Sequence, residues 1–332
     1  MQTVSVNVMT LCVPCENRCR YCLLSYDGKT VGANYERSKQ YALKFYNWLK
    51  NNRPDLSFVF GFGYSMEHPN LLEEIKFLQS INSPTGEFLQ FDGMKFRSAE
   101  ELYGFLTSLK EQGIKLIDLT FYGDREYHDK FAVRKGDFDY LIEILKTANA
   151  VGLHVQVGLA LTSENASQIN TLVEKIASFT PQRIFLFVPH SEGRGKSLEN
   201  VRFSKKDYDL LDNNAKTLLN LNKFKTESDW LRTEYIPPKK RMISFSLTDE
   251  NLEELENTPF DKAISKLEKL DDEYYSVIPD FVTLAKLYGD KTCNKFYSQR
   301  DLYLKYQQRY IEENGIKVYD VNDERQSFAR RF

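Results

Sequence analysis

Three cysteines near the start of the chain have the spacing and the chemistry of a metal site. They form the run Cys15-Glu-Asn-Arg-Cys19-Arg-Tyr-Cys22, in which three thiols fall within eight residues. Three thiolates can bind three irons of an iron–sulfur cube, and the fourth iron is then open to a small molecule. Zinc is the alternative, because Cys12 could supply the fourth thiol that a structural zinc ion needs. Unpaired buried thiols fit less well, since charged residues separate the cysteines.

Alternating strands and helices over the first 221 residues are predicted to position this loop. Strands are predicted at residues 4–9, 57–60, 87–91, 115–121, 153–161 and 183–188, and helices at 36–51, 71–80, 98–113, 137–152, 166–178 and 205–221. Repeated units of this kind imply a parallel sheet with right-handed crossovers. The pattern allows a doubly wound sheet or a partly closed barrel. In both architectures the chemistry gathers where the strands end, and the cysteine run lies in the first such loop.

The alternation stops after residue 221, and residues 222–332 are predicted to form a mainly helical extension that covers the barrel. Residues 222–245 contain Pro237-Pro238 and a basic run, and are predicted to form a connector. Helices are predicted at 248–270 and 299–314. Tyr303, Tyr306 and Tyr310 share one face of the last helix, which favours packing against the barrel over a ligand-stacking surface.

The composition excludes several classes of protein. The 332 residues are 42% hydrophobic, which is too rich in core-forming residues for a disordered chain. With 45 basic and 47 acidic residues, the formal net charge is −2, which argues against a nucleic-acid or anionic-membrane partner. No apolar run approaches the roughly 18 residues of a membrane span. The start lacks a secretory signal, and the clustered cysteines do not suggest disulfides, so a cytoplasmic protein is expected.

The cysteine run resembles the hallmark of the radical S-adenosylmethionine (SAM) enzyme superfamily, C-x3-C-x2-C with an aromatic residue before the third cysteine. Tyr21 holds that place. The resemblance covers roughly residues 1–200 and implies a partial (β/α)6 TIM-like barrel with a 4Fe–4S cluster bound by Cys15, Cys19 and Cys22. It also implies that the open iron chelates the amino and carboxylate groups of SAM. One electron would then cleave SAM to methionine and a 5′-deoxyadenosyl radical, which abstracts hydrogen from the substrate.

Further motifs match this superfamily in the same order along the chain. The segment Gly61-Phe-Gly63-Tyr64 resembles the glycine-rich segment whose backbone contacts the SAM ammonium group. It departs from the superfamily at Tyr64 and Ser65, which replace Glu and Pro. The ammonium contact is therefore expected from backbone carbonyls alone or from Glu67, three residues later.

The later strands carry the remaining expected SAM contacts. By resemblance, Thr120 and Arg134 contact the SAM carboxylate, and a guanidinium suits that group geometrically. Asn165 resembles a residue that bonds the SAM ribose or carboxylate, with a helix N-cap as the alternative. Arg194, in Gly193-Arg194-Gly195, resembles part of a loop that packs on the adenine.

The reaction subtype and the catalytic residues are not named by any motif. Only Cys293 lies near the C terminus, so a single cluster is expected. The expected partners are a small-molecule or peptide substrate and an electron donor such as flavodoxin or ferredoxin. Two alternatives stand beside this interpretation: a radical-SAM-like binding partner that has lost catalysis, suggested by Tyr64, and a zinc-stabilised RNA-binding protein, suggested by the basic run 239–241. Among the histidines, His154 is predicted in the core and His190 near the site.

Overall fold

The strands and helices are described in a computed structural model, which covers residues 3–10, 15–23, 33–62, 66–81, 86–235 and 240–318. Three residues of the expected site or its alternatives, Cys12, Gly63 and Tyr64, lie outside these residues. The strands are β1 Thr3–Thr10, β2 Ser57–Gly61, β3 Phe88–Gln90, β4 Leu116–Phe121, β5 His154–Ala160, β6 Arg183–Phe187, β7 Phe224–Thr226, β8 Lys240–Leu247 and β9 Phe296–Ser298.

Thirteen helices connect or flank the strands within the described residues. They are α1 Tyr35–Asn52, α2 Leu71–Ser80, α3 Ala99–Glu111, α4 Arg125–Ala132, α5 Asp137–Val151, α6 Ile169–Ala177, α7 Lys205–Tyr208, α8 Asn213–Leu218, α9 Glu227–Trp230, α10 Asp249–Asn257, α11 Phe260–Val277, α12 Phe281–Tyr288 and α13 Gln299–Asn314. In the described part of the chain, none of these helices is long and apolar enough to cross a bilayer.

The parallel strands form two sheets. One has the order β2-β1-β8 and the other the order β3-β4-β5-β6. All pairings in both sheets are parallel, and β7 pairs antiparallel with β9 in a separate two-stranded sheet. This mixed α/β architecture with parallel sheets and helical crossovers agrees with the predicted partial TIM-like barrel.

The two faces of strand β4 show how the larger sheet divides core from site. Ile117, Leu119 and Phe121 are fully buried and belong to the hydrophobic core formed with the helices. The alternate residues Thr120 and Tyr122 point to the opposite face, because successive side chains of a strand alternate. Tyr122 contacts the cysteine run, so the chemistry lies on the face away from the helices.

Local sequence signals predict several elements correctly. The capping box at Ser98 and Glu101 begins α3, with both reciprocal hydrogen bonds present. Gly152 ends α5 in the left-handed region at φ 73°, where glycine is favoured. The predicted helix at 248–270 is instead two helices, because Pro259 separates α10 from α11. The predicted helix at 205–221 also divides in two, and α4 was not predicted.

The prediction of a connector over residues 222–245 is wrong, because this segment contains β7, α9 and most of β8. Strand β8 pairs in parallel with β1 along its whole length, from Thr3 opposite Lys240 to Thr10 opposite Leu247. Ile243, Phe245 and Leu247 alternate with serines, which is a strand pattern. The prolines and the basic run before it obscured that pattern. The C-terminal part of the chain is therefore mainly helical but also completes the first sheet.

The prediction that the tyrosines of α13 pack against the barrel is wrong, because the described apolar cluster that holds them consists of residues from 230 to 318. Tyr306 is buried and its hydroxyl donates to Glu227 Oε1 at 2.6 Å. The Tyr303 hydroxyl donates to the Pro279 carbonyl at 3.1 Å. Both side chains belong to the apolar cluster that joins α13 to α12.

We predict that Phe245→Ala lowers the free energy of unfolding by about 3–5 kcal/mol, because it leaves a cavity in the first sheet. Phe245 is 1% exposed and its ring contacts Tyr41 and Phe45. Leu287→Ala is the control, because Leu287 is 59% exposed and its loss should cost no more than about 0.5 kcal/mol. Urea unfolding measures both variants. Equal effects would mean that β8 does not belong to the core.

Candidate active site

The cysteine loop (residues 15–22) lies across the C-terminal ends of the second sheet. Backbone hydrogen bonds join it to the loop after β3, to the last turn of α4, which follows β4, and to the segment after β6. These bonds are Glu16 N–H to the Gly93 carbonyl at 2.7 Å, Arg18 N–H to the Ala132 carbonyl at 2.9 Å, Arg20 N–H to the Phe131 carbonyl at 3.0 Å, and Arg194 N–H to the Cys22 carbonyl at 3.0 Å. Segments that are far apart in sequence therefore hold one short loop in place.

The loop after β5 contacts the same loop through side chains. The Arg20 guanidinium donates to Glu164 Oε2 at 2.6 Å, and the Tyr127 hydroxyl donates to the same oxygen at 2.8 Å. Tyr127 also lies 3.0 Å from the Thr162 hydroxyl. The cysteine loop is thus bonded to the segments that follow all four strands of the second sheet, and after β4 that segment is helix α4.

A buried carboxylate, Asp137 at the start of α5, is the centre of a polar network beneath the cysteine loop. Its oxygens accept from Asn17 Nδ2, His128 Nε2 and Arg134 Nη1, each at 3.1 Å. His128 Nδ1 accepts the Tyr122 N–H at 3.2 Å, so the proton of the neutral ring is on Nε2 and points to Asp137. Asp137 therefore connects the cysteine loop, α4 and the end of β4.

Arg134, the expected partner of the SAM carboxylate, lies beside the cysteine loop, where it contacts Asp137 and Asn17. Besides the Asp137 bond, Nη1 lies 3.4 Å from Asn17 Oδ1. The guanidinium stacks 3.8 Å from the centre of the Phe96 ring. These contacts orient Arg134 and neutralise Asp137, and the expected SAM carboxylate contact stays a prediction.

The three thiols lie on one short loop. Cys15, Cys19 and Cys22 are partly buried, and Cys19 Sγ accepts from the Tyr122 hydroxyl at 3.3 Å. Burial raises the pKa of Cys15 to about 11 and raises that of Cys19 further. A bound metal cation is what stabilises such buried sulfurs as thiolates. A Cβ at Gly93, whose φ is +76°, would overlap Cys15 Sγ. Three thiols in a close-fitting, hydrogen-bonded loop fit an iron–sulfur cluster.

Aromatic rings enclose one side of the cysteine loop. Tyr21 lies 5.5 Å from Tyr122 and 6.0 Å from Phe131, measured between ring centres. The hydroxyls of Tyr21 and Tyr122 are 3.4 Å apart. Burial raises the pKa of both hydroxyls, so they stay protonated and can donate. This apolar side limits the access of water to the thiols.

Thr120 and Asn165 are both buried at strand ends close to these rings. The Thr120 N–H donates to Asp92 Oδ1 at 2.9 Å. The Asn165 Oδ1 accepts from the Thr162 N–H at 2.8 Å, and its Nδ2 donates to the carbonyls of Tyr122 and Ala160. Asn165 therefore ties the end of β4 to the end of β5.

The remaining expected SAM contacts lie on different segments. Gly61 ends β2, and a Cβ there would meet nothing within 4 Å, so the space beside it is open. Arg194 is bonded through its backbone to Cys22, and a Cβ at the preceding glycine, Gly193, would overlap the Leu23 carbonyl. Glu67 is bound to Arg97 Nη1 and Nη2, both at 3.0 Å, so it is engaged away from Gly61.

Sequence reasoning missed Asn17, Tyr122, Asp137 and Glu164. His128-Asp129, in the segment that follows β4, was a usable signal for the network around Asp137. Nothing in the sequence indicated a role for Asn17.

The structure also places the two histidines for which a position was predicted. His154 is exposed at the first position of β5, so its prediction as a core residue is wrong. His190 follows β6 and its Nδ1 lies 2.9 Å from Asp301 of α13.

The zinc alternative requires four thiols, and its fourth, Cys12, lies outside the described residues. Within the ranges that the structure describes, no group of three or more His, Cys, Asp or Glu side chains is placed to hold a single metal ion.

We predict that Asp137→Ala lowers the free energy of unfolding by about 3–5 kcal/mol, because it leaves the buried Arg134 charge without its partner. Asp139→Ala on the same helix is the control. Asp139 pairs with Arg125 on the surface, where an ion pair contributes at most about 1 kcal/mol. Urea unfolding at pH 7 compares them. A loss from Asp137→Ala no larger than that from the control would contradict the buried network.

We predict that Asp118→Asn stabilises the protein at pH 8 by about 1–3 kcal/mol. Burial raises the pKa of Asp118 to about 6, although Gln156 and Arg183 oppose this, whereas an unfolded Asp titrates near 3.9. The folded state therefore holds the proton more tightly, and ionisation costs stability as the pH rises from about 4 to about 6. Near pH 4 the gain should vanish. A gain that does not change between pH 4 and pH 8 would contradict this.

The comparisons with known proteins agree with this geometry. The family model described as "Radical SAM superfamily" matches residues 10–176, half of the chain. No curated protein sequence matches the chain. Similar solved structures include anSMEcpe with bound AdoMet and Kp18Cys peptide, at 14% identity and a TM-score of 0.47, covering 94% of this chain and 97% of that one.

Two further solved structures are also similar to this chain. Coproporphyrinogen III oxidase (HemN) from Escherichia coli is 9% identical, with a TM-score of 0.46, and 93% of this chain and 91% of that chain are covered. Streptococcus suis SuiB bound to S-adenosylmethionine is 12% identical, with a TM-score of 0.47. The match covers 74% of this chain and 58% of SuiB. The chain spans only 39% of SuiB in its complex with the precursor peptide SuiA, and 62% of anSMEcpe with bound AdoMet. The match of the family model over half of the sequence, on the segment that carries the cysteine loop, shows that this chain belongs to the radical SAM superfamily of enzymes.

Proposed function

We propose that Cys15, Cys19 and Cys22 hold a 4Fe–4S cluster with which this protein cleaves SAM reductively. The observation that carries the proposal is the attachment of the cysteine loop to the segments that follow all four strands of the second sheet. When bound, the cluster would pass one electron to SAM, which gives methionine and a 5′-deoxyadenosyl radical that takes one hydrogen atom from the substrate.

The residues around the thiols would set the properties of that cluster. The Tyr122 hydroxyl donates to Cys19 Sγ at 3.3 Å, and hydrogen bonds to the sulfurs tune the reduction potential of an iron–sulfur centre. Phe131 stacks on Tyr122 with 4.6 Å between ring centres. This packing fixes the hydroxyl toward the sulfur and excludes water from that side.

For SAM itself, we propose a site that extends from Gly61 to the ends of β4, β5 and β6. The open space beside Gly61 favours an approach of SAM to the backbone there, together with Gly63 and Tyr64. Because Glu67 is bound to Arg97, we assign the ammonium contact to backbone carbonyls. Thr120, Arg134, Asn165 and Arg194 would line the rest of the site. The contacts of Asn165 support a positioning role for it, since its amide groups already bind the backbone.

We propose a small molecule or a peptide as the substrate and flavodoxin or ferredoxin as the electron donor. SuiB is bound to a precursor peptide in one of the similar structures, and HemN is a coproporphyrinogen III oxidase. The proposal therefore includes both small-molecule and peptide substrates. Reduced thiols suit a cytoplasmic location. The alternative of a binding partner without catalysis depended on Tyr64, which lies outside the described residues, and no described contact favours it.

We predict that Cys15→Ala, Cys19→Ala and Cys22→Ala each prevent cluster assembly, because each removes the ligand of one iron. The Cys12→Ala and Cys293→Ala variants should bind as much iron and sulfide as the wild-type protein. Iron and sulfide content after anaerobic reconstitution measures this. In addition, wild-type protein with dithionite and SAM should slowly form 5′-deoxyadenosine without substrate, and Cys19→Ala should form none. Full iron loading of Cys19→Ala would refute the ligand assignment.

A further inference from the structure

The inner face of the second sheet, which is turned away from the helices, is polar in its two middle layers. Strand pairing places one residue of each strand in the first of these layers, the polar row, which consists of Gln90, Asp118, Gln156 and Arg183. The next layer toward the cysteine loop consists of Asp92, which follows β3, Thr120, Gly158 and Phe185. Bulky aliphatic residues fill a barrel whose interior is a packed core. Neither middle layer contains one, so this face is suited to a polar ligand.

Asp118 is the acidic residue of the polar row. Its side chain is partly buried, and its Oδ1 has no hydrogen-bond partner within the described part of the chain. A carboxylate in this position is costly, because it loses contact with water and gains no donor in exchange. Burial raises the pKa of Asp118 to about 6, which agrees with that cost. The Asp118 carboxylate can therefore accept a hydrogen bond from a ligand without giving up one from the protein.

Aromatic rings of β6 cover the neighbouring strand β5 on the same face. A Cβ at Gly158 would lie 2.9 Å from Phe185 Cζ and 3.2 Å from Phe187 Cε1, so both rings lean over this glycine. Strand β5 is also the neighbour of β4, which carries Asp118, and paired strands lie about 4.8 Å apart. The Phe185 ring is partly exposed. A carboxylate near an accessible aromatic ring is the environment that a protonated amine favours.

The charged groups on this face favour a cation. Two carboxyl groups, those of Asp92 and Asp118, are present with one guanidinium, that of Arg183. Arg183 is exposed on the edge strand β6, and its guanidinium carbon lies 5.3 Å from the centre of the Phe185 ring. His154 is exposed in the layer at the N-terminal ends of the strands. The other inner-facing residues of β3 to β6 are uncharged, so a ligand meets more acidic than basic groups.

The polar row lies one layer below the residues proposed to line the SAM site. Thr120 follows Asp118 by two residues, which is about 7 Å along a strand. The aromatic side of the face continues in the same direction, because the ring centre of Phe187 lies 6.2 Å from that of Tyr21 in the cysteine loop. A small molecule or side chain bound to Asp118 would therefore extend from the polar row toward the candidate SAM site.

We propose that the substrate carries a protonated amine or a guanidinium group, which Asp118 binds and the Phe185 ring contacts. The inference rests on the proposed function and narrows its substrate, small molecule or peptide, to one with a cationic group. An ammonium group has three donors and no acceptor, which suits a carboxylate that lacks a donor. A neutral substrate leaves the carboxylate charge unpaired, and an anionic one is repelled by it. The contribution of Asp118 to substrate binding would explain why the chain carries a carboxyl group that costs stability.

The test uses three probes that share one skeleton and differ in their terminal group: phenethylammonium, phenethyl alcohol and hydrocinnamate. Each is titrated calorimetrically at pH 8, under anaerobic conditions, into reconstituted protein saturated with SAM, so that no probe occupies the SAM site. Wild type is compared with Asp118→Asn, which should fold because it loses a buried charge, and with Arg183→Gln, which removes the positive charge of the same face. The control, Asp139→Asn, makes the same change in charge as Asp118→Asn on the exposed surface of α5.

Wild type should bind phenethylammonium at least about tenfold more tightly than the other two probes, the scale of one hydrogen bond to a charged group, and Asp118→Asn should remove this preference. Arg183→Gln should bind the ammonium probe at least as tightly as wild type, and the control should match wild type. A preference for hydrocinnamate, equal affinities, no binding of any probe, or a preference that survives in Asp118→Asn would overturn the assignment.

The proposed function is tested separately. Wild type that forms no 5′-deoxyadenosine from SAM and dithionite would count against SAM cleavage. The titrations do not require that reaction, and they would still decide which charge the inner face binds.

Discussion

The candidate site depends on the hydrogen bonds and the ion pair that the buried Asp137 carboxylate makes. Burial of a charge is costly unless partners surround it. Asn17, His128 and Arg134 supply those partners, one from the cysteine loop and two from the segments after β4. The buried Asp137 carboxylate thus bonds the cysteine loop to the segments that follow β4 and helps to fix its position over the sheet.

Other contacts of the site also attach the cysteine loop to the second sheet. Gly93 lets the loop after β3 approach Cys15 closely, Glu164 binds Arg20 from the loop after β5, and Arg194 binds Cys22 from the loop after β6. Each attachment crosses more than 70 residues of sequence. The thiols are therefore placed by the tertiary fold, and a cluster that binds them is held rigidly against the open end of the sheet.

The sequence predicted what depends on local pattern. The capping box of α3, the left-handed Gly152 and the spacing of the three cysteines each lie within a few neighbouring residues. The partnership of Asn17 with Asp137 spans 120 residues and could not be read from either residue alone. Strand β8 was missed for the same reason, because its partner β1 lies at the other end of the chain. The SAM contact expected of Arg134 stays a prediction, and its bond to Asp137, three residues later, was not predicted.

The central claim is that three thiolates of this loop hold a cluster with one iron open to SAM. Electron paramagnetic resonance of the reduced, reconstituted protein, recorded with and without SAM, tests it most directly. The account predicts the signal of a single reduced 4Fe–4S cluster whose g values shift when SAM is added, because SAM binds the open iron. A 4Fe–4S signal that SAM leaves unchanged would contradict the account, as would a reconstituted protein that contains zinc and no cluster.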